Sequence, residues 1–131
     1  LGMHIETVTL VIPGVNDSLE EMEGLIRWVR DTLGPATPMH FTRFHPDYRM
    51  TDREPTPVAT LEKILQKAKD LGMRFPYIGN VPGHPAESTY CPVCRALLIE
   101  RSGFRTIIRN LKKDTCGSCG EKIEIVTEVP T

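Results

Sequence analysis

Four cysteines, Cys91, Cys94, Cys116 and Cys119, are the residues of this 131-residue chain whose type and spacing point most directly to chemistry. They form two Cys-x-x-Cys pairs, Cys91-Pro-Val-Cys94 and Cys116-Gly-Ser-Cys119, with 21 residues between them. Two intervening residues let a tight turn aim both sulfurs at one point, and two such turns facing each other complete a tetrahedral thiolate site. The gap accommodates a β-hairpin that returns the second pair to the first. Gly120 can take the positive φ that such a turn favours, whereas the first turn has Arg95 at that place, a less typical choice. A closed four-ligand site leaves no position for catalysis, so the expectation is one structural zinc, with a single iron competing for the same thiolates. Two redox-active disulfides fit less well, because the pairs lack a thioredoxin-like strand and helix context. Clustered cysteines of this kind point to a metal site in a reducing cytoplasm.

The other candidate groups are weaker signals. His45 opens a polar loop that runs to Pro55 and contains Asp47, Tyr48, Arg49 and Arg53. Loops that follow parallel strands commonly carry binding groups. His40 and Thr42 alternate with apolar neighbours and share a strand face with Phe44, which would aim them into a cavity. Between Arg95 and Lys113, the bases Arg95, Arg101, Arg105, Arg109, Lys112 and Lys113 outnumber the acid Glu100. Such a run could dock nucleic acid or an acidic partner, but with aromatic interleaving limited to Phe104 a solvated face is the simpler reading.

The elements that must position these groups read as follows. Residues 6 to 12 are β-branched and nearly unbroken in apolar character, as in a strand covered on both faces. Pro13-Gly14 ends it. Asn16, Asp17 and Ser18 offer N-cap oxygens with Glu20 or Glu21 following, and Leu19, Met22, Leu25, Ile26, Val29 and Leu33 recur at helical spacing up to Gly34-Pro35. Residues 38 to 44 form a second strand. Thr56 is placed to cap a second helix with Pro57 at its first position, and Gly72 stops that helix. Met73 to Ile78 make a third strand before the Gly79-Asn80-Val81-Pro82-Gly83 turn, where Asn80 is expected to brace the turn with its own side chain.

Strand-helix-strand-helix-strand predicts an α/β class with right-handed crossovers and a parallel sheet. Three strands and two helices leave two open edges and an uncovered face, as would the second half of a barrel or open sheet. A composition shift over residues 84 to 88 divides residues 1–83 from a small β module at residues 84–131. That module has strands at Leu97–Glu100, Phe104–Ile108 and Ile123–Thr127. A net charge of -1 excludes a strong field for nucleic acid or membrane, and no apolar run is long enough to span a bilayer. The chain begins Leu1-Gly2-Met3-His4 and enters a strand almost at once, which reads as part of something longer.

Four segments recur in order: Val11-Ile12-Pro13-Gly14-Val15-Asn16-Asp17, Phe41-Thr42-Arg43-Phe44-His45-Pro46-Asp47-Tyr48, Pro55-Thr56-Pro57, and Tyr77-Ile78-Gly79-Asn80-Val81-Pro82-Gly83. Together they resemble the C-terminal half of radical S-adenosylmethionine enzymes related to the pyruvate formate-lyase activating enzyme. The trailing Thr89-Tyr90-Cys91-Pro92-Val93-Cys94 makes the chain similar to the branch called the AmmeMemoRadiSam system radical SAM enzyme. The resemblance implies a partial (β/α) barrel followed by a zinc ribbon. It also implies a parent in which a [4Fe-4S] cluster and S-adenosylmethionine generate a 5′-deoxyadenosyl radical that abstracts hydrogen from a protein or small-molecule substrate. The family's Cys-x-x-x-Cys-x-x-Cys stretch is absent here, as is its glycine-rich segment for the amino end of the cosubstrate. The resemblance therefore implies a piece with no radical chemistry of its own and no catalytic residue. Two positions carry over: His45 matches a histidine that contacts S-adenosylmethionine, and Ile12 matches an apolar residue that packs near the adenine. Asp47, Tyr48, Arg49 and Arg53 would then face a protein substrate at the barrel mouth. Exposed sheet edges would allow such a fragment to self-associate.

Overall fold

The computed structural model describes residues 5–45, 54–102 and 105–124. The expected loop groups Asp47, Tyr48, Arg49 and Arg53, the aromatic Phe104, and most of the strand expected over residues 123–127 lie outside the described residues.

The first part of the chain runs β1 (Thr7–Val11), α1 (Leu19–Thr32), β2 (Met39–Arg43), α2 (Val58–Asp70) and β3 (Pro76–Gly79). The strands lie in the order β1-β2-β3, and both pairs are parallel. Strand alternation explains how the sheet divides its faces. Val11, Met39, Phe41 and Ile78 are buried against Met22, Ile26 and Val29 of α1 and Leu61, Ile64, Leu65 and Ala68 of α2. Both helices therefore cover the same face. Val8, His40 and Tyr77 align in one row of the opposite face, and Leu10, Thr42 and Gly79 in the next. Among the described residues no helix covers this side, and Val8 is 73% exposed and Leu10 44%.

The local signals explain the helix ends. Ser18 is the N-cap of α1, its hydroxyl accepting from the Glu21 amide at 3.2 Å. Gly34 takes φ 109° just beyond the helix, where its amide donates to the Val29 carbonyl. Thr56 behaves differently from expectation. The N-cap of α2 is Pro57, with no side-chain capping bond. The buried Thr56 hydroxyl instead donates to the Val11 carbonyl and accepts from the Phe44 amide, while its own amide donates to the Phe44 carbonyl. A buried unpaired Phe44 N–H would cost more than a missing helix cap, so the hydroxyl goes to the strand ends. The third strand is also displaced from the expected Met73–Ile78. The Met73 amide closes the end of α2 on the Ala68 carbonyl and the Arg74 amide bonds to Pro35, so pairing with β2 begins only at Pro76.

A 3₁₀ turn (Pro85–Glu87) leads into β4 (Thr89–Tyr90), β5 (Leu97–Ser102) and β6 (Arg105–Ile108), an antiparallel sheet in that order. A second hairpin joins β7 (Leu111–Lys112) to β8 (Thr115–Cys116), with Lys113 at φ 56° in its turn. Within the expected last strand, Ile123 and Glu124 are not part of any strand; Lys122 makes one isolated bridge to Thr115.

Packing crosses the expected boundary. Ala86 belongs to the core of the parallel sheet, while Phe75 belongs to a second core with Cys91, Leu98, Ile99, Cys116 and Ile123. Arg74 reinforces the join: its guanidinium donates to Glu121, to Glu124 and to the Lys122 carbonyl at 3.0–3.2 Å. Among the described residues, no helix is long and apolar enough to cross a membrane.

Candidate metal centre

The two Cys-x-x-Cys turns are built alike. In the first, the Arg95 amide donates to the Cys91 carbonyl at 2.9 Å. In the second, the Gly120 amide donates to the Cys116 carbonyl at the same distance. Arg95 and Gly120 both have positive φ, 68° and 79°. The position filled untypically by arginine thus adopts the same left-handed turn as the glycine. Its Cβ makes that conformation costlier by roughly 1 kcal/mol. Amides point at the sulfurs, Cys94 N–H at Cys91 (3.5 Å) and Ser118 N–H at Cys116 (3.4 Å).

The β5–β6 and β7–β8 hairpins fill the gap between the pairs and bring the turns face to face. All four sulfurs lie within 4.8 Å of one another. Cys91 faces Cys119 and Cys94 faces Cys116, each with sulfurs 3.6 Å apart. Four thiolates placed tetrahedrally about 2.3 Å from one ion would be about 3.8 Å apart. The separations match that figure and are far beyond a disulfide bond of about 2.0 Å. Cys91 and Cys116 are buried and Cys94 and Cys119 exposed, so one side of the site is closed by the small core.

The electrostatics fit a cation. The Cys119 amide, opposed by burial and helped by the Ser118 amide, holds the Cys116 thiol down at about 7. At Cys119 the Glu121 amide also favours the thiolate, but burial and the three neighbouring sulfur groups together push the thiol up to about 12. Four sulfurs this close do not all ionise unaided. A bound divalent ion removes that mutual penalty as the thiols release their protons. The four cysteines can hold one metal ion.

Groups that the cysteine spacing does not reveal support the second turn. The Gly117 amide donates to the Asn110 carbonyl at 2.8 Å, and Asn110 Nδ2 donates to Ser118 Oγ at 2.6 Å. A Cβ on Gly117 would run into the Asn110 side chain, so this glycine is required for space rather than for its φ.

Chemistry-bearing residues outside the metal site separate into two groups. Ile12 is half-buried just beyond β1, its amide held by Asn16 Oδ1 at 2.7 Å, and His45 is exposed two residues beyond β2. They sit at the C-terminal ends of adjacent parallel strands. Asn80, at φ 61° beyond β3, donates from Nδ2 to the Arg43 carbonyl at 3.1 Å, tying two strand ends together rather than only bracing its own turn. His40 lies lower on the uncovered face, its Nε2 2.8 Å from Glu6 Oε1 and its ring stacked on Tyr77 at 5.0 Å. Two members of the basic run make side-chain contacts within the fold. Arg101 turns onto Thr89 and the Tyr77 ring, and Arg109 pairs with Glu100 at 2.6 Å.

No family model matches the chain, and no solved structure matches it. Among curated proteins, the chain is similar to the uncharacterized protein MJ0808 of Methanocaldococcus jannaschii, with 52% identity over 128 residues. The alignment takes in 96% of this chain and 38% of the relative, so the chain spans well under half the length of the protein it matches.

Proposed function

We propose that the chain is the C-terminal part of a radical S-adenosylmethionine enzyme related to the pyruvate formate-lyase activating enzyme, and that Cys91, Cys94, Cys116 and Cys119 hold a structural zinc. The observation that carries the first statement is the half-clothed parallel sheet. Its helices occupy one face, and among the described residues no helix lies on its other, partly polar face, where only Tyr77 meets the cysteine region, and β1 pairs only with β2. Parallel sheets are ordinarily covered by helices on both sides, so this one suits the distal strands of a partial (β/α) barrel whose lumen lies on the helix-free face. Ile12 and His45 stand at the strand ends where barrel enzymes place their sites. The length of the relative leaves room for a cluster-binding front.

The cluster and S-adenosylmethionine would supply the radical, and both belong to that front. The four cysteines here converge on a single point, whereas the thiolates of a four-iron cluster are spread over separate irons. Zinc is preferred over iron because four closed thiolates suit an ion without redox chemistry. The reading places the protein in the cytoplasm, with a protein or small-molecule substrate rather than nucleic acid.

The deciding experiment is to express the longer protein that contains this chain, reconstitute it anaerobically with iron and sulfide, and supply a one-electron reductant. Cleavage of S-adenosylmethionine to 5′-deoxyadenosine and methionine is expected from the longer protein and not from residues 1–131 alone. A longer protein without a Cys-x-x-x-Cys-x-x-Cys stretch would end the proposal.

A further inference from the structure

The uncovered face of the parallel sheet carries a cavity of about 700 Å³ that the metal site does not use. Glu6, His40, Tyr77, Asn80, Glu87 and Arg101 supply its polar lining. His40 and Tyr77 reach it from the sheet, Glu6 and Asn80 from just outside β1 and β3, Glu87 from the 3₁₀ turn, and Arg101 from β5 of the cysteine region. The guanidinium lies 5.6 Å from the Tyr77 ring centre and donates one N–H to the Thr89 hydroxyl, to which Tyr77 Oη is also joined at 2.8 Å. Among the described residues these are the contacts of the Arg101 side chain, and a ring face and a hydroxyl orient an arginine without neutralising it. The guanidinium carries five N–H donors in a planar fork, and its pre-set position lowers the ordering cost of binding. Of the two carboxylates in the lining, Glu6 is paired with His40, and Glu87→Gln removes the charge of the other. One row above, Gly79 presents no side chain, and a Cβ there would approach Thr42 Oγ1 to 3.1 Å.

We propose that this cavity is a binding site for a small oxyanion-bearing molecule, a carboxylate or phosphate, with Arg101 as the group that receives the anion. The site belongs to this chain as it stands and does not rest on the radical-enzyme reading. It gives the metal region a role beyond its own stability, because the receiving residue stands on the ribbon while the floor of the site is the sheet.

The test is a titration of the metal-loaded 131-residue protein with inorganic phosphate in one arm and succinate in the other, followed by the Arg101 Nε–H and Tyr77 ring resonances. A saturable shift with half-saturation in the millimolar range is expected in at least one arm, and the arm that saturates identifies the anion class. Arg101→Met should weaken it roughly tenfold or more, with Arg101→Lys intermediate, and Arg105→Met on the exposed β6 should leave it unchanged. Glu87→Gln should bind as well as or better than the parent. A parent protein whose shifts stay linear in both arms overturns the proposal. So does equal saturation in Arg101→Met, and so does binding that emerges only in Glu87→Gln, which would show that Glu87 already neutralises the guanidinium.

Discussion

Among the described residues, the core of the parallel sheet gathers thirteen buried side chains, whereas the core behind the cysteines gathers six, with Phe75 contributed from the sheet side and Cys91 and Cys116 among them. Helix faces and strand faces close the first by apolar burial. The second is a small apolar core among strands of two to six residues, and an ion held by the four cysteines would supply the cross-link that apolar burial supplies in the first. Adjacent stretches of one chain thus depend on different chemistry, and the residues that bridge them decide how separately they behave.

The largest effect should come from the metal. Chelation or Cys116→Ser is expected to remove about 10 kcal/mol or more of ribbon stabilisation. Amide exchange over residues 89–116 should become fast while the far-ultraviolet helix signal persists. Loss of the helix signal as well would show that the two regions form one cooperative unit. Metal uptake should depend on pH, because the thiols must release their protons to bind. Cys116, held near 7 rather than 9.0, is ready to ligate near neutrality, whereas Cys119, pushed from 9.0 to about 12, gives up its proton only against the ion's charge. Apparent metal affinity, read by competition with a chelator, is expected to fall as pH drops through 7.

Phe75→Ala should cost about 3 kcal/mol. Phe75 precedes β3 yet packs in the ribbon core, so metal affinity should fall together with the urea midpoint. An unchanged metal affinity would mean that the ribbon holds itself together without the sheet. Thr56→Val makes the reverse test. It strips the hydroxyl that serves Val11 and Phe44 and should cost about 2 kcal/mol in the sheet alone, with metal stoichiometry unaltered. Arg95→Gly should have the smallest effect. Relief of the left-handed turn at φ 68° is expected to raise ribbon stability by no more than about 1 kcal/mol, because glycine also loosens the unfolded chain.

Much of this was legible before the structure. The cysteine spacing fixes where the sulfurs must meet, and Ser18, Gly34 and Gly72 mark helix limits through bonds to residues within a turn. What could not be read depends on distant partners. Thr56 meets Val11 across 45 positions, and that contact outweighs its local preference for capping α2. Phe75 packs with the ribbon core because of where the hairpins fold back. The pairs Thr89–Tyr90, Leu111–Lys112 and Thr115–Cys116 are too short to show any alternation. The cavity group Glu6, Tyr77 and Arg101 comes from three separated segments that carry no shared motif.

Thr56 has one more consequence. Its amide and hydroxyl fasten it to both backbone groups of Phe44 and to the Val11 carbonyl, so a single residue pins the exit of β2 and the approach to α2 onto the end of β1. Because the chain is already gathered at positions 44 and 56, each doubling of the connection between them would add only about 0.6 kcal/mol of closure entropy.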